Sequence, residues 1–430
     1  MNIELAYGRQ GLAVTLPDEA PVTAIKPGPV VGLADEEKAI REALRSPSGS
    51  PPLHELVQPE DRVAIVFSDL TRPMPNDRAL PPLLDELAAA GVPDEQIVLI
   101  NGLGTHRPQS EEELAGMLGT EIVEHYRVLQ HDAWSDDLVE VTENFAGHPV
   151  RVNRAYIEAS VQILTGFIEP HFFAGFSGGP KAVLPGIADI DAILDNHSGE
   201  ILADRKATWA VTEGNPVWEE MLAIGEATAP TFLLNVALNQ KREITGVFAG
   251  HMVAAHRAGV AFVRETAMQA VPEPFDIVIT SNSGYPLDLN LYQAVKGMSA
   301  AAQIVRPGGN IIIAAECWDG IPDHGEYKEM LWEAGSVEEL WETVTAPGFR
   351  RQDQWEALVQ ARIQRKATVH VYADGLTDEE IRHALLVPCR CIEDTVAELR
   401  RDNPQSTIAL LPDGPQTVPY VDYEARGGSR

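Results

Sequence analysis

Uninterrupted apolar runs alternate with stretches of helical period after residue 60. Arg62–Phe67 and Gln96–Ile100 are apolar runs between polar loops, as is typical of buried strands. A helical period covers residues 76–90, and Ser110 with a glutamate three residues later predicts a capped helix start. This strand–loop–helix repetition predicts a parallel sheet with helices on its faces.

The same kinds of pattern continue to the end of the chain. The first 60 residues predict a short strand pair and a helix. Further helices are expected around Asp195–Ser198 and over Leu291–Val305. Further strands are expected at Val161–Thr165, 230–240, Phe275–Thr280, Asn310–Ala315, Thr368–Tyr372 and Thr407–Leu411.

The predicted fold is α/β with two domains, each a largely parallel sheet flanked by helices. A Pro/Glu-rich stretch at Val271–Pro274 is the expected boundary. We therefore expect an N-terminal domain over residues 1–270 and a C-terminal domain over 271–394 that closes over the site. The tail, residues 395–430, is expected to return to the N-terminal domain.

Charge and composition restrict the partners. The formal net charge of the 430 residues is −31, which repels nucleic acid and anionic lipid. Three cysteines favour a reducing compartment over a disulfide framework. The opening residues lack a signal-peptide pattern, and no apolar run reaches membrane-spanning length, so we expect a cytoplasmic protein. The oligomeric state stays open.

Chemically capable side chains follow three of the predicted strands, and ligands bind at the carboxyl ends of parallel strands. Asp69 and Arg72 follow the first strand. A guanidinium there suits a carboxylate or a phosphate, although an ion pair with Asp69 or a neighbouring acid is the simpler interpretation. His106 and His171 follow the next two strands. Each alone is more often structural, but two imidazoles at one sheet edge suit proton transfer.

A glycine-rich segment, Gly175–Lys181, follows the third strand. It is not a Walker loop, because Pro180 precedes the lysine and Ala182 follows it. No G-x-G-x-x-G fingerprint opens the first βα turn either. Lys181 is either a desolvated nucleophile among phenylalanines or a solvated lysine in a tight turn. The spacing of His197 does not by itself predict a metal ligand.

The segment Gly166–Ala188 resembles the nickel-pincer-dependent lactate racemase family. Matching blocks occur in family order over about residues 60–360. These blocks are Thr71–Pro73, Gly104–Pro108, Asn196–Gly199, Gly284–Asp288, Tyr292–Gly297 and Asp353–Trp355.

The resemblance implies a racemase or epimerase of 2-hydroxy acids that works by reversible hydride transfer. Its cofactor is a nickel-pincer nucleotide, a pyridinium-3-thioamide-5-thiocarboxylic acid mononucleotide, made by cofactor-biosynthesis proteins without which the chain is apo. The roles implied are covalent attachment for Lys181, nickel ligation for His197, and acid–base catalysis for His106 and His171. The remaining implied residues are Asp69, Gly178, Gly179 and Trp355 for the cofactor and Arg72, Thr105, Tyr292, Gln293 and Lys296 for the substrate.

Three positions depart from the pattern expected of lactate racemases. Thr105 stands where a bulky aromatic is expected, Leu70 replaces a histidine, and Pro180 replaces a basic residue. Less bulk beside His106 predicts a larger pocket and therefore a longer substrate than lactate, such as malate or a sugar acid.

Two other functions remain compatible with the residues alone. A nicotinamide-dependent 2-hydroxy acid oxidoreductase is disfavoured by the missing dinucleotide fingerprint. A non-catalytic carboxylate-binding protein would need the loop cations but no metal.

Overall fold

A computed structural model of the chain describes residues 1–17, 20–401 and 403–422, and these form two compact units. The central unit consists of Pro29–His197 and Asp204–Thr266. The terminal unit consists of Met1–Gly28, Ser198–Ala203 and the chain from Ala267 onward. The chain therefore passes between the units four times.

Twenty strands occur in the described residues. They are β1 (Asn2–Leu5), β2 (Leu12–Thr15), β3 (Val22–Ala24), β4 (Val63–Ser68), β5 (Ile97–Gly102), β6 (Arg127–Gln130), β7 (Leu138–Glu143), β8 (Pro149–Asn153), β9 (Val161–Phe167), β10 (Pro170–His171), β11 (Gly175–Phe176), β12 (Phe232–Leu238), β13 (Ile244–Gly250), β14 (Met268–Val271), β15 (Phe275–Ser281), β16 (Val305–Ala314), β17 (Thr368–Tyr372), β18 (Val387–Pro388), β19 (Ile408–Leu411) and β20 (Val418–Val421).

Sixteen α-helices accompany them in the same residues. They are α1 (Glu36–Arg45), α2 (Leu53–Leu56), α3 (Asn76–Ala89), α4 (Glu111–Leu118), α5 (Thr120–His125), α6 (Arg154–Ile157), α7 (Ile190–Asn196), α8 (Gly199–Leu202), α9 (Pro216–Ala227), α10 (Met252–Ala267), α11 (Leu291–Ala302), α12 (Tyr327–Glu333), α13 (Val337–Val344), α14 (Gln354–Lys366), α15 (Asp378–His383) and α16 (Ile392–Leu399).

The central unit is built on a six-stranded sheet in the order β13-β12-β9-β4-β5-β6. All neighbours are parallel except β13, which runs antiparallel to β12. The first five residues of β4 are buried, because strands covered by helices on both faces need apolar side chains on both. Ile65 and Phe67 of β4 pack in one core with Leu83 of α3 and Leu99 of β5. The parallel arrangement brings the loops after β4, β5 and β9 to one edge.

The terminal unit contains a six-stranded parallel sheet in the order β18-β17-β16-β15-β19-β3. The predicted class, α/β with largely parallel sheets flanked by helices, is confirmed. The tail that is expected to return to the N-terminal domain, residues 395–430, carries β19 in this sheet. There β19 pairs with β15 and with β3, which lies within residues 1–270; residues 402 and 423–430 lie outside the described residues.

Most of the predicted elements occur with shifted ends. The capping box at Ser110 is confirmed. The Glu113 N–H donates to the Ser110 hydroxyl, and the Glu113 carboxylate accepts the Ser110 N–H. The predicted helix Leu291–Val305 ends at Ala302, and β16 begins at Val305, earlier than expected. The strand pair and helix expected before residue 60 are present as β1–β2 and α1.

Candidate active site

Three loops meet at the carboxyl edge of the central sheet. Asp69 directly follows β4, Leu103 begins the loop after β5, and Ile168 begins the long segment after β9. These strands are neighbours in the order β9-β4-β5. The Gly104 N–H donates to the Gly186 carbonyl at 3.0 Å, so the second and third loops contact each other. The histidines predicted from the sequence thus lie at one sheet edge.

A buried carboxylate, Asp69, orients His106. The His106 Nδ1 atom lies 2.7 Å from Asp69 Oδ2, and the Thr71 hydroxyl donates to the same carboxylate. Burial by itself raises the pKa of Asp69, but the His106 and Arg72 side chains and the hydrogen bonds outweigh it and lower that pKa. An ionised carboxylate only accepts, so Nδ1 of His106 carries a proton, and in the neutral ring this arrangement leaves a lone pair on Nε2.

Arg72 stands beside this pair. Its backbone N–H donates to the Asp69 carbonyl at 3.1 Å, closing the turn after β4. Its half-buried guanidinium acts electrostatically on the Asp69 carboxylate. The attraction to Asp69 considered from the sequence is therefore present.

His171 lies in an aromatic wall on the two-residue strand β10. Its ring is 5% exposed and packs on Phe172 and Phe173, with centroid distances of 4.8 and 4.6 Å. Its Nδ1 atom accepts the Ala174 N–H at 3.2 Å. A neutral ring that accepts at Nδ1 carries its proton on Nε2. The two histidines therefore present opposite tautomers.

Two side chains not predicted from the sequence hold the glycine-rich segment. The Gly179 N–H donates to Asn235 Oδ1 at 2.9 Å, and His256 Nε2 donates to the Ser177 carbonyl at 2.9 Å. His256 stacks on Trp218, and burial lowers its pKa to about 4, so the ring is neutral. The sequence offered two signals for these roles. Asn235 is a polar residue inside the apolar run of β12, and His256 is a histidine inside α10.

Gly178 cannot carry a side chain without distortion, because its φ is +77° and a Cβ there would lie 2.5 Å from Asn235 Oδ1. We expect Gly178→Ala to lower the free energy of unfolding by about 1–3 kcal/mol through backbone strain. Urea unfolding of the full chain measures this loss.

A matched control for this substitution is Gly116→Ala in α4. A Cβ at Gly116 meets no atom within 4 Å, and alanine favours a helix, so stability should hold or rise slightly. Equal stability of the two variants would contradict the strain assigned to Gly178.

Lys181 and His197 are electrostatic neighbours. Burial and then the Lys181 charge lower the pKa of His197 to about 3, so its imidazole is neutral, the form that binds metals. His197 follows α7 directly, and its ring meets the edge of Phe173 at 5.1 Å. Since Phe173 also contacts His171, one aromatic side chain joins the predicted base to the predicted ligand.

Four further predicted substrate and cofactor residues lie in the terminal unit. Trp355 at the start of α14 donates its Nε1–H to the Tyr292 hydroxyl at 2.8 Å. On α11, the Lys296 ammonium donates to Gln293 Oε1 at 2.6 Å. These four side chains therefore form two hydrogen-bonded pairs within their own unit.

The three departing positions also have defined surroundings. Thr105 is partly buried next to His106, and Leu70 is 40% exposed on the turn after Asp69. Pro180 is buried in the single 3₁₀ turn, Gly179–Ala182, that carries Lys181. Proline fixes the backbone at the start of that turn, where a hydrogen-bond donor is not needed.

Within the described residues, no group of three or more histidine, cysteine or acidic side chains is arranged to hold a metal ion. Cys389 instead contacts Thr395, and Cys391 donates to Glu393. A metal at His197 would need donors from a bound group. A neutral imidazole beside a lysine amine, with glycine backbone at Gly178 and Gly179, fits a group that is tethered and supplies its own sulfur donors.

Among the helices that the structure describes, none combines the length and apolar character needed to cross a membrane.

Comparisons with known proteins point to one family. Family models for the lactate racemase N-terminal and C-terminal domains match residues 7–210 and 270–418. The lactate racemase of Thermoanaerobacterium thermosaccharolyticum is 36% identical to the chain, over 97% of this chain and 99% of that protein. The lactate racemase of Lactiplantibacillus plantarum is 34% identical, over 96% of this chain and 98% of that protein. The solved T. thermosaccharolyticum lactate racemase apoprotein superposes with a TM-score of 0.90 at 34% identity, over 97% of this chain and 100% of that one. A Thermotoga maritima protein at 19% identity, with a TM-score of 0.72 over 92% of this chain and 100% of its own, shares the fold.

Proposed function

Because the chain belongs to the lactate racemase family, we propose that it interconverts the stereoisomers of a 2-hydroxy acid using a nickel-pincer nucleotide joined to Lys181. Its relatives are racemases, so the chain is an isomerase, and the oxidoreductase and binding-protein alternatives gain no support. The observation that carries the proposal is the Asp69–His106 pair at the sheet edge that also bears His171 and Lys181.

Four residues of the central unit would hold the nucleotide. Lys181 would form the covalent bond, His197 would ligate nickel through its neutral ring, and Gly178 and Gly179 would admit the group close to the backbone. The family resemblance also assigns Trp355 to this nucleotide. When bound, the nucleotide supplies a nickel-centred acceptor for hydride from C2 of the substrate, which the protein's own side chains do not offer.

The histidines handle the hydroxyl proton. With its Nδ1–H held by Asp69, His106 accepts this proton at Nε2 as the hydroxyl carbon becomes a ketone. His171 accepts the Ala174 N–H at Nδ1, which leaves the proton of the neutral ring on Nε2. To act as base for the opposite enantiomer, His171 must change tautomer and give up the Ala174 N–H. The two proposed bases therefore differ in which ring nitrogen carries the proton before the reaction.

Cations orient the substrate in this proposal. Arg72 is assigned to the substrate carboxylate, since a planar guanidinium can donate two parallel hydrogen bonds to it. Lys296, Gln293 and Tyr292 assist in binding, and Thr105 lines the substrate pocket. In a chain with a net charge of −31, these few cations supply the local attraction that an anionic substrate needs.

The direct test is the activity of protein matured with its cofactor-biosynthesis proteins. We expect a mass increase, bound nickel, and loss of optical activity when one enantiomer of a 2-hydroxy acid is supplied. Matured protein that carries the adduct and nickel but leaves both lactate and longer 2-hydroxy acids unchanged would refute the function.

Substrate length is the second part of the proposal. Threonine at position 105 leaves space beside His106, so we expect a higher kcat/KM for malate or a sugar acid than for lactate. Thr105→Tyr should fill that space and reverse the ranking. Chiral chromatography of each acid after incubation with the two enzymes measures both values.

The reverse outcome is equally clear. A wild-type protein that prefers lactate over every longer acid would remove the larger-substrate hypothesis while leaving the racemase assignment intact. Exposed Leu70→Ala serves as a control for substitution in a neighbouring loop.

A further inference from the structure

Helix α7 ends immediately before His197, and both of its last residues are held from outside the helix. Asp195 and Asn196 are the two residues that precede the predicted nickel ligand. Each one hydrogen-bonds to a different part of the central unit. The position of a metal ligand that follows a helix depends on where that helix ends. The contacts of Asp195 and Asn196 therefore help to determine the position of the His197 imidazole.

The contact of Asn196 is with a buried carboxylate. Its Nδ2 donates to Glu220 Oε2 at 2.8 Å and to the Val217 carbonyl at 3.2 Å, both on α9. Asn196 is fully buried and Glu220 is 1% exposed. The other Glu220 oxygen accepts the Phe145 N–H at 2.8 Å, from the turn between β7 and β8. One carboxylate thus joins α7, α9 and this turn.

The contact of Asp195 reinforces the same junction. Its Oδ2 atom accepts from Asn144 Nδ2 at 2.8 Å, and His148 Nδ1 lies 2.8 Å from that oxygen. Asn144 and His148 flank Phe145 in the turn that Glu220 holds. The turn therefore contacts Asp195 directly and Asn196 through Glu220.

Burial of a carboxylate needs a reason, because an ionised group leaves water at a cost of several kcal/mol unless hydrogen bonds replace the solvent. An apolar residue could fill the same volume but could not receive two N–H groups from different segments. Each carboxylate oxygen of Glu220 accepts from a different donor, so the carboxylate fixes both the distance and the orientation of the Asn196 side chain. Glu220 therefore fixes the orientation of Asn196, the residue that directly precedes His197.

The same helix supports the Lys181 loop through other residues. Trp218 stacks on His256, which donates to Ser177, and a Cβ on Gly225 would lie 2.7 Å from Pro180 Cβ. These contacts do not involve Glu220. A change at Glu220 should therefore affect His197 while leaving the loop of Lys181 in place.

We propose that Glu220 is a positioning residue that holds His197, through Asn196, in the orientation required to bind nickel. The inference rests on the proposed function, because it takes His197 as the nickel ligand. Glu220 does not touch the metal in this proposal. Groups that orient a metal ligand typically contribute about 10- to 100-fold to metal affinity.

The test compares Glu220→Gln with wild-type protein, each matured with the cofactor-biosynthesis proteins. A glutamine amide that keeps the Phe145 N–H turns its NH₂ group toward the Asn196 NH₂ group, so one donor loses its acceptor. We expect the covalent adduct on Lys181 to form at wild-type occupancy, measured by intact mass. Nickel retention under a competing chelator should fall by about 10- to 100-fold.

The matched control is Glu226→Gln, an exposed glutamate on the same helix, which should retain nickel as the wild type does. Equal nickel retention in Glu220→Gln and wild type would overturn the inference, as would equal loss in the control. Wild-type protein without any adduct would instead count against the proposed function. The two failures are therefore distinguishable.

A second variant covers the case in which Glu220→Gln does not fold. His148 is 56% exposed on its side chain, so His148→Ala removes one contact of Asp195 without opening the core. We expect faster nickel loss than in wild type, in the same direction and smaller than for Glu220→Gln. Wild-type retention in this variant would also contradict the inference.

Discussion

Replacing Lys181 with alanine will leave the matured chain at its unmodified mass and without detectable racemase activity. The proposed covalent bond needs a nucleophilic amine, and alanine offers none. Lys181→Arg should fail in the same way, because a guanidinium keeps the charge but stays protonated and does not act as a nucleophile. Intact mass spectrometry and chiral analysis of the substrate measure both results.

A further effect of Lys181→Ala is measurable without the cofactor. The Lys181 charge is one of the two causes that lower the pKa of His197, so its removal should raise that pKa. Burial, the larger cause, remains, and the value should stay below that of an exposed histidine. Histidine ring resonances followed by NMR across a pH titration report the change.

An exposed lysine in the same unit provides the control. Lys206→Ala should acquire the adduct and racemise substrate as the wild type does. If Lys181→Ala carried an adduct of the same mass and yield as the wild type, attachment would not occur through the Lys181 amine. The cofactor assignment would then fail.

Single substitutions of the two histidines should each reduce kcat/KM by about 10²- to 10⁴-fold, the usual contribution of a general base. The loss should be equal in both directions, since a substitution in the enzyme cannot change the equilibrium constant of the reaction. His106 is 26% exposed on its side chain and His171 is 5% exposed. Added imidazole should therefore restore more activity to His106→Ala than to His171→Ala.

Asp69→Asn tests the tautomer of His106 separately. An asparagine can direct an NH₂ group at Nδ1, which moves the ring proton to Nε2 and removes the lone pair that accepts the substrate proton. Enzymes whose catalytic histidine loses its orienting carboxylate slow by as much as about 10⁴-fold. A variant with full activity, or with His106 still protonated on Nδ1 by ¹⁵N NMR, would contradict this role.

Local patterns in the sequence predicted the parts of the site that depend on strand order. The apolar runs of β4, β5 and β9 are strong signals, and a parallel sheet necessarily brings the loops after them to one edge. The expectation that His106 and His171 act in one site follows from that topology. The pairing of Asp69 with His106 did not, because it depends on side-chain directions that no periodicity encodes.

Contacts between distant segments were the main omission. Asn235, His256 and Glu220 look like ordinary polar residues on a strand and two helices, and their roles appear only when their partners are known. The neighbours of β19 could not be predicted for a similar reason. Its apolar run predicts a buried strand but not which of two parallel sheets will accept it.

The path of the chain sets an order in which its parts can be completed during synthesis on the ribosome. Every strand of the central sheet lies between residues 63 and 250, so that sheet can form while the remainder is still being translated. The terminal sheet cannot, because Val22–Ala24 pairs with Ile408–Leu410. Pairing between such distant residues is intrinsically slow. Val22–Ala24 must therefore wait until Ile408–Leu410 has been translated before its strand has a neighbour.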